Sequence, residues 1–544
     1  MNGSKCQCAL TTVAIFAFNF LIPARGSAQG TPAHARTTFD LQTATVADIN
    51  AAIDAGALTS EKLVHLYLNR IDAYDKKGPK INSVMTLNPK ALEEARALDA
   101  ERKAKGRRSP LHGIPIVVKD LVDVAGLPTT AAFTPFGAPI PERDAAIVTR
   151  LKAAGAIIIA KVSAENWFGR DGFGATHPIG ATLNPYNVEY SPGGSSNGPG
   201  ASMASWFAAV SVGTDTGGSV QMPASYNSLV GMVATQGLVS RAGIVPRSLT
   251  QDRAGPLGRS VYDVAVMMDA MAGFDPEDLD TREGLGHFPQ GTWTGQVGVP
   301  DLKKFRIGVL REAMSTLRAN AEAQALFEDA LEDMRKAGAQ VLDPVLSGID
   351  LGRQSDSSSI GVWPYEVIIA GDIYLQRLGP KRPFKTMKEM ITTVGPDKFV
   401  DSYVSALSYP PLEEDPGFMR RYRGRRAIRD LVENLLARYG LDAFVIQYDS
   451  TPPLAKNVSG AAAPSGGRDS RTLRGGGVVS STGLPGIVMP AGYTKDNLPV
   501  GIEFIGKSFD DLRLLQVAYG YEQASKKRKS PQITPPLPGE KFEY

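Results

Sequence analysis

The chain has 544 residues, 43% hydrophobic and 21% charged, with a formal net charge of +3. That balance excludes a disordered or collagen-like chain and leaves ample material for a core. A charge so near zero gives no electrostatic ground for a nucleic-acid partner.

Residues 1–28 differ in character from the rest of the chain. Lys5 supplies a positive start, an apolar run covers 9–22, and Gly26-Ser27-Ala28 offers small residues for cleavage. The pattern predicts a secretory signal peptide cut after Ala28, because the apolar run is short for a membrane span of roughly 20 residues. Cleavage removes Cys6 and Cys8, the only cysteines of the chain. The exported protein, periplasmic or secreted, then has no disulfide, thiol nucleophile or cysteine metal site. Residues 29–43 read as a flexible mature N-terminus, and no later stretch reads as membrane-spanning.

From residue 44 the sequence alternates helix and strand signals. Thr45-Val-Ala-Asp48 looks like a capping box. Residues 58–74 then carry apolar positions at helical spacing, with His65 read as a packing residue. Three later segments share one logic: an amphipathic helix, a Gly stop, then an apolar strand. They are 145–154, Gly155 and 156–160; 325–337, Gly338 and 340–342; and 428–439, Gly440 and 443–446. The alternation predicts a layered α/β domain over 44–525 with a largely buried mixed sheet. Residues 345–425 read as a helical or irregular excursion from it. Residues 459–477 read as a loop, 526–544 as a C-terminal tail, and Lys526-Lys-Arg-Lys529 within it as a solvated surface run.

The chemistry concentrates in 191–259. Ser191-Pro-Gly-Gly-Ser-Ser-Asn-Gly198 and Gly213-Thr-Asp-Thr-Gly-Gly-Ser-Val220 flank a small-residue helix expected over 201–210. Gly-Gly lets backbone N–H groups converge without side chains in the way, which suits an oxyanion hole. A Ser at the end of such a turn is placed to attack a carbonyl but needs a base. The histidines (His34, His65, His112, His177, His287) form no metal-ligand pattern. Lys119 ends the apolar run Ile114-Pro-Ile-Val-Val-Lys119, where desolvation favours the neutral amine; a paired structural lysine is the other reading.

Two other motifs carry less. Gly194-Ser-Ser-Asn-Gly198 matches a nucleophile elbow centred on Ser196, but 184–192 is turn-like and no His follows His287. Gly501-Ile-Glu-Phe-Ile-Gly-Lys-Ser508 matches a phosphate-loop pattern, but its middle alternates like a strand.

Taken together, the motifs resemble the amidase signature family of serine amidohydrolases over about residues 44–522. They include Gly113-Ile-Pro-Ile-Val-Val-Lys-Asp120, Pro192-Gly-Gly-Ser-Ser196, Gly213-Thr-Asp-Thr-Gly-Gly-Ser219, Gly255-Pro256 with Arg259, Gly483-Leu-Pro485 to Pro490-Ala-Gly492, and Leu498-Pro-Val-Gly501. The resemblance implies a large single α/β domain whose mixed, mostly parallel central sheet is covered by helices on both faces. It implies amide hydrolysis by a Ser–Ser–Lys triad, with Ser219 as nucleophile, Ser195 as bridging serine after a cis Gly194 peptide, and Lys119 as base. Thr216, Gly217, Gly218 and Ser219 would supply oxyanion-hole amides, and Ser196 would support Lys119 by hydrogen bonding. No cofactor or metal is implied. The expected partner is a small-molecule amide, with the protein a monomer or homodimer.

Gln221, where an Arg often stands, together with Asn197, Ser163 and Asn166, departs from the family pattern. Trp167, Trp363 and Tyr365 are candidate substrate-lining residues, with Phe168 and Tyr374 beside them; aromatics in such a fold also serve as core. An aryl or hydrophobic amide, or a peptide amide, would suit such a wall. The tRNA-amidating members of the family are disfavoured by the signal peptide and the near-neutral charge. An esterase or carbamate hydrolase on the same triad, and a silent amide-binding protein of the same fold, are the alternatives.

Overall fold

The computed structural model describes residues 37–298, 301–315, 317, 320–450 and 477–544. The expected signal peptide, residues 29–36 of the expected mature terminus, and residues 459–476 of the expected loop lie outside the described residues.

The strands, in chain order, are β1 (Thr38–Asp40), β2 (Val84–Leu87), β3 (Pro115–Lys119), β4 (Ile157–Val162), β5 (Val210–Asp215), β6 (Val230–Val233) and β7 (Arg253–Gly258). They continue with β8 (Arg306–Val309), β9 (Gln340–Leu342), β10 (Ala443–Gln447), β11 (Gly486–Tyr493), β12 (Pro499–Ile505) and β13 (Lys541–Glu543). Eleven of them form one sheet in the order β2-β4-β3-β5-β7-β6-β11-β12-β10-β8-β9, flanked by helices.

The sheet is mixed, as expected, but not mostly parallel. Among the described residues the parallel pairs are β3–β4, β3–β5, β8–β10 and β8–β9. The central pairings from β5 through β7, β6, β11 and β12 to β10 are all antiparallel. Connection length is one cause. β11 and β12 are separated only by residues 494–498, which allows a hairpin and not a crossover.

The helix–Gly–strand segments form where the periodicity placed them. The helix Ala146–Ala153 leads through Gly155 into β4, whose six residues are all buried. Gly155 has φ +95°, and a Cβ there would approach His112 Cα to 2.8 Å, so both conformation and space require glycine. The helices Ala321–Lys336 and Pro416–Tyr439 lead the same way into β9 and β10. Thr45 and Asp48 close the expected capping box. His65 is exposed and not a packing residue. The 345–425 excursion is helical, with Trp363–Arg377 among its longest elements. Among the described residues no helix is long and apolar enough to cross a membrane.

The terminal boundaries differ from the sequence reading. One compact unit runs from Thr38 to Tyr544. Residues 38–40 are not flexible, because β1 pairs antiparallel with β13 and stacks Phe39 on Phe542 at 5.0 Å. Residues 526–544 are likewise not a loose tail. Arg70 is fully buried and donates to Glu540 Oε2 at 2.8 Å and to the carbonyl of Thr534 at 2.8 Å. The basic run is not wholly solvated either, since Arg528 Nε and Nη2 are buried.

Removing one partner of a buried ion pair strands the other charge without compensation. Glu540→Ala is therefore expected to lower unfolding stability by about 3 kcal/mol, measured by denaturant titration against wild type.

Candidate active site

β3 and β5 are parallel neighbours, with Val118 opposite Val212. Their C-terminal ends therefore lie side by side, the end of an α/β sheet where ligand sites form. Lys119 is the last residue of β3; Thr214 and Asp215 close β5.

Lys119 is 0% exposed. Its Nζ donates to Ser195 Oγ at 2.8 Å and to Thr214 Oγ1 at 2.9 Å. Burial is the largest influence on it and the nearby Arg247 charge the next; together they bring its ammonium down to about 7 against the pull of Glu165, Asp215 and Asp252. A second buried lysine, Lys161, stands on the adjacent strand. It differs in its partners: Asp120 Oδ1 at 3.5 Å, Thr129 Oγ1 at 2.7 Å and the Pro128 carbonyl at 2.9 Å. Lys161 is thus the paired structural lysine, and Lys119 is held by hydroxyls.

The peptide between Gly194 and Ser195 is cis. The carbonyl of Ser195 accepts from Glu165 N at 2.9 Å. The following helix starts earlier than the sequence suggested. It covers Asn197–Ala204, so Asn197 and Gly198 belong to its first turn and β5 begins at Val210. Ser196 does not bond to Lys119. Its hydroxyl donates to the Thr214 carbonyl at 3.1 Å and accepts from Thr214 N at 3.2 Å. Ser196 therefore fixes the backbone of Thr214, and Thr214 supplies the second hydroxyl to the lysine.

The turn 215–220 is folded around the Asp215 carboxylate. Oδ1 accepts from Gly218 N at 3.1 Å and from Ser480 Oγ at 2.7 Å; Oδ2 accepts from Val220 N at 2.9 Å. Gly218 has φ +103°, which only glycine adopts freely. The Gly218 N–H is thus committed inward, contrary to the expectation that it faces an oxyanion. Half-buried Ser219 sits between the two amides that Asp215 holds. Thr216 Oγ1 donates to Asp252 Oδ1 at 2.5 Å.

Gln221 belongs to the same buried network. Its Oε1 accepts from Ser480 Oγ at 2.8 Å and its Nε2 donates to Glu503 Oε1 at 2.5 Å. Burial pushes the Glu503 carboxyl up to about 8, so a neutral amide partner suits it at neutral pH. The other departures serve locally. Asn197 Oδ1 accepts from Gly198 N, Ser163 Oγ donates to the Ala164 carbonyl, and Asn166 bonds Asp171, Thr176 and Gly169 N.

The candidate wall aromatics divide. Trp167 is 2% exposed, and the Lys119 ammonium lies 5.3 Å from its ring centroid. Trp363, half-buried, faces Arg247. Tyr365 packs on Tyr409 and Phe418 instead. Phe168 belongs to the core with Phe133, Phe136 and Tyr403, and Tyr374 is buried with its hydroxyl on Asp123 at 2.8 Å. Gln251, which the sequence did not single out, joins wall to turn. Its Oε1 accepts from Val362 N and Trp363 N, and its Nε2 donates to the Thr216 carbonyl at 3.2 Å.

His65 is exposed on its helix, and the other three described histidines are occupied elsewhere. His112 and His177 meet backbone carbonyls, and His287 stacks on Phe509. The phosphate-loop-like segment is strand, as expected, since residues 501–505 lie in β12.

Asp215→Asn replaces one acceptor with a donor facing a backbone N–H. The expected cost is about 2 kcal/mol of stability. Amide hydrogen exchange at Gly218 and Val220 should accelerate, while exchange in β10 should not.

Comparison with known proteins extends over the same span. A model of the Amidase family matches residues 62–515. A probable amidase of Arabidopsis thaliana is 31% identical, the match covering 91% of this chain and 93% of that protein. A glutamyl-tRNA(Gln) amidotransferase component from Ralstonia pickettii is 30% identical over 88% of this chain and 97% of its own. The solved native peptide amidase from Stenotrophomonas maltophilia superposes with a TM-score of 0.80 at 31% identity, covering 90% of this chain and 99% of that one.

Proposed function

The chain belongs to the amidase family, and from that premise we propose a Ser–Ser–Lys mechanism in which Ser219 is the nucleophile, Ser195 the bridge and Lys119 the base. Hydrolysis of an amide C–N bond is the family's chemistry and the activity of this enzyme. The observation that carries the mechanism is the Lys119–Ser195 hydrogen bond at 2.8 Å, made by a lysine with hydroxyl partners in place of a carboxylate.

Ser219 Oγ adds to the substrate carbonyl as its proton passes to Ser195 Oγ and the Ser195 proton passes to Lys119 Nζ. The tetrahedral oxyanion rests on the amides of Thr216, Gly217 and Ser219, with Gly218 N–H shaping the turn. The proton then returns through Ser195 to the departing nitrogen, and ammonia or an amine leaves. Water, deprotonated by the same relay, attacks the acyl-enzyme and releases the carboxylate. A base that is neutral near pH 7 can do this without a large free-energy cost.

For substrate we propose an aryl or hydrophobic amide, or a peptide amide. The half-buried Trp363 on the helical excursion, tied through Gln251 to the nucleophile turn, supports this reading, and so does the likeness to a peptide amidase. Esters and carbamates would enter the same addition chemistry as side substrates. The residue pattern of 1–28 supports export of the mature protein from Gln29, which sets it apart from a tRNA-amidating enzyme.

The mature protein, assayed on aliphatic amides, anilides, amidated peptides and a matching ester, is expected to favour the aryl and peptide amides. Folded Ser219→Ala and Lys119→Ala should lose about 10³-fold or more in kcat/KM. Full activity in Ser219→Ala overturns the triad, and a folded wild type inert on the whole panel favours a silent binding protein. Since the neutral amine is the active form, wild-type kcat/KM should rise with pH through about 7 and be lost below it. Export is checked separately by the mass and N-terminal sequence of the protein recovered from fractionated cells, expected to begin at Gln29; an intact Met1 in the cytoplasm refutes it.

A further inference from the structure

Arg247 stands beside this chemistry without belonging to the Ser–Ser–Lys set. Its guanidinium lies 4.1 Å from the Trp167 ring centroid and 5.2 Å from that of Trp363. The Lys119 ammonium lies 5.3 Å from the same Trp167 centroid, so one indole carries both cations. Backbone bonds fix the arginine as well. Its Nη2 donates to the Trp167 carbonyl at 2.6 Å, and its own N–H donates to Asp252 Oδ2 at 2.6 Å. Among the described residues the guanidinium bonds the Trp167 carbonyl, lies beside the buried Tyr403 hydroxyl, and is paired with no carboxylate. Nε is buried without a hydrogen-bond partner among the described residues, against the two indole rings.

A guanidinium stays protonated at any working pH. A fixed positive charge near a buried amine disfavours a second charge there. We propose that Arg247, clamped between Trp167 and Trp363, is a positioning residue that keeps Lys119 in its neutral, proton-accepting form. The inference rests on Lys119 being the base of the relay.

Lys119 touches the Ser195 and Thr214 hydroxyls and the Trp167 ring, and the charges that act on it most are those of Arg247, Glu165, Asp215 and Asp252. All three carboxylates favour the ammonium, and Arg247 is the charge that opposes them. Two of the carboxylates have fixed duties: Asp215 holds the nucleophile turn, and Asp252 holds Thr216 Oγ1 and the amides of Arg247 and Ser248. They cannot move aside when Lys119 loses its proton. The site thus combines a carboxylate-built turn with a lysine that must be uncharged, and a fixed arginine reconciles the two.

The test is the pH dependence of two reactions in the mature enzyme: kcat/KM for the best amide of the panel, and labelling by a fluorophosphonate serine probe. Wild type, Arg247→Met, Arg247→Gln and Arg247→Lys are compared, with Lys119→Ala and Ser219→Ala as references. The neutral variants should move the acid limb upward by about one pH unit in both reactions. The loss is then about tenfold on the acid side and small above the limb. Arg247→Lys keeps the charge and should leave the limb near that of wild type. An unmoved limb in whichever neutral variant folds overturns the proposal. So does an Arg247→Lys limb displaced as far as the neutral ones, which makes packing the cause. A raised KM with an unmoved limb also overturns it, making Arg247 a substrate contact. Failure of the parent reading looks different: Lys119→Ala would keep the wild-type profile, or labelling would survive in Ser219→Ala.

Discussion

A lysine amine buried at the end of a strand, with two hydroxyls for partners, is the constraint around which this structure is arranged. Water would hold the amine charged. Removing water without supplying a carboxylate makes the neutral form accessible. The adjacent β4 carries a lysine that burial also pushes down, but with different partners. Lys161 is equally buried, yet Asp120 and a carbonyl answer its charge. Both lysines come from apolar strands in parallel register, so the difference lies in what the neighbouring strand and loops present to each.

Those loops are held from several directions. Ser196 clamps the backbone of Thr214, and Thr214 gives its hydroxyl to the lysine. Asp215, the next residue, turns its carboxylate on the two amides that bracket Ser219. Gln251 spans from the Thr216 carbonyl to the start of the helix Trp363–Arg377, while Glu366 on that helix accepts from Thr250 N at 3.1 Å. The excursion that carries the aromatic wall is thereby tied to the nucleophile turn. A group leaning on Trp363 leans, through one amide side chain, on the turn that carries Ser219.

The motifs were legible because they are local. Glycine pairs, a serine at the end of a turn and a lysine at the end of an apolar strand can be read within eight residues. The helix–Gly–strand segments were legible for the same reason. What resisted reading depends on distant partners. Nothing near Arg247 in sequence announces that Trp167 and Trp363 will enclose it, and Gln251 meets residue 362 from more than a hundred positions away. Asp215 was within reach, since an aspartate three residues before a Gly N–H is a turn-forming pattern. The direction of the sheet needed the order of pairing, which periodicity does not encode. The C-terminal segment read as a tail because its two anchors, Arg70 and Phe39, lie hundreds of residues upstream.

The pairing of β1 with β13 has a topological side. Thr38 stands opposite Glu543 in a two-stranded ribbon separate from the main sheet. The first and last strands of the folded unit are therefore neighbours. A linker of a few residues from the end of β13 to Thr38 would close that unit, without the residues before it, into a ring. New ends could then be opened at an exposed loop far from Lys119, giving a circularly permuted enzyme whose start and finish in sequence bear no relation to those of the natural chain.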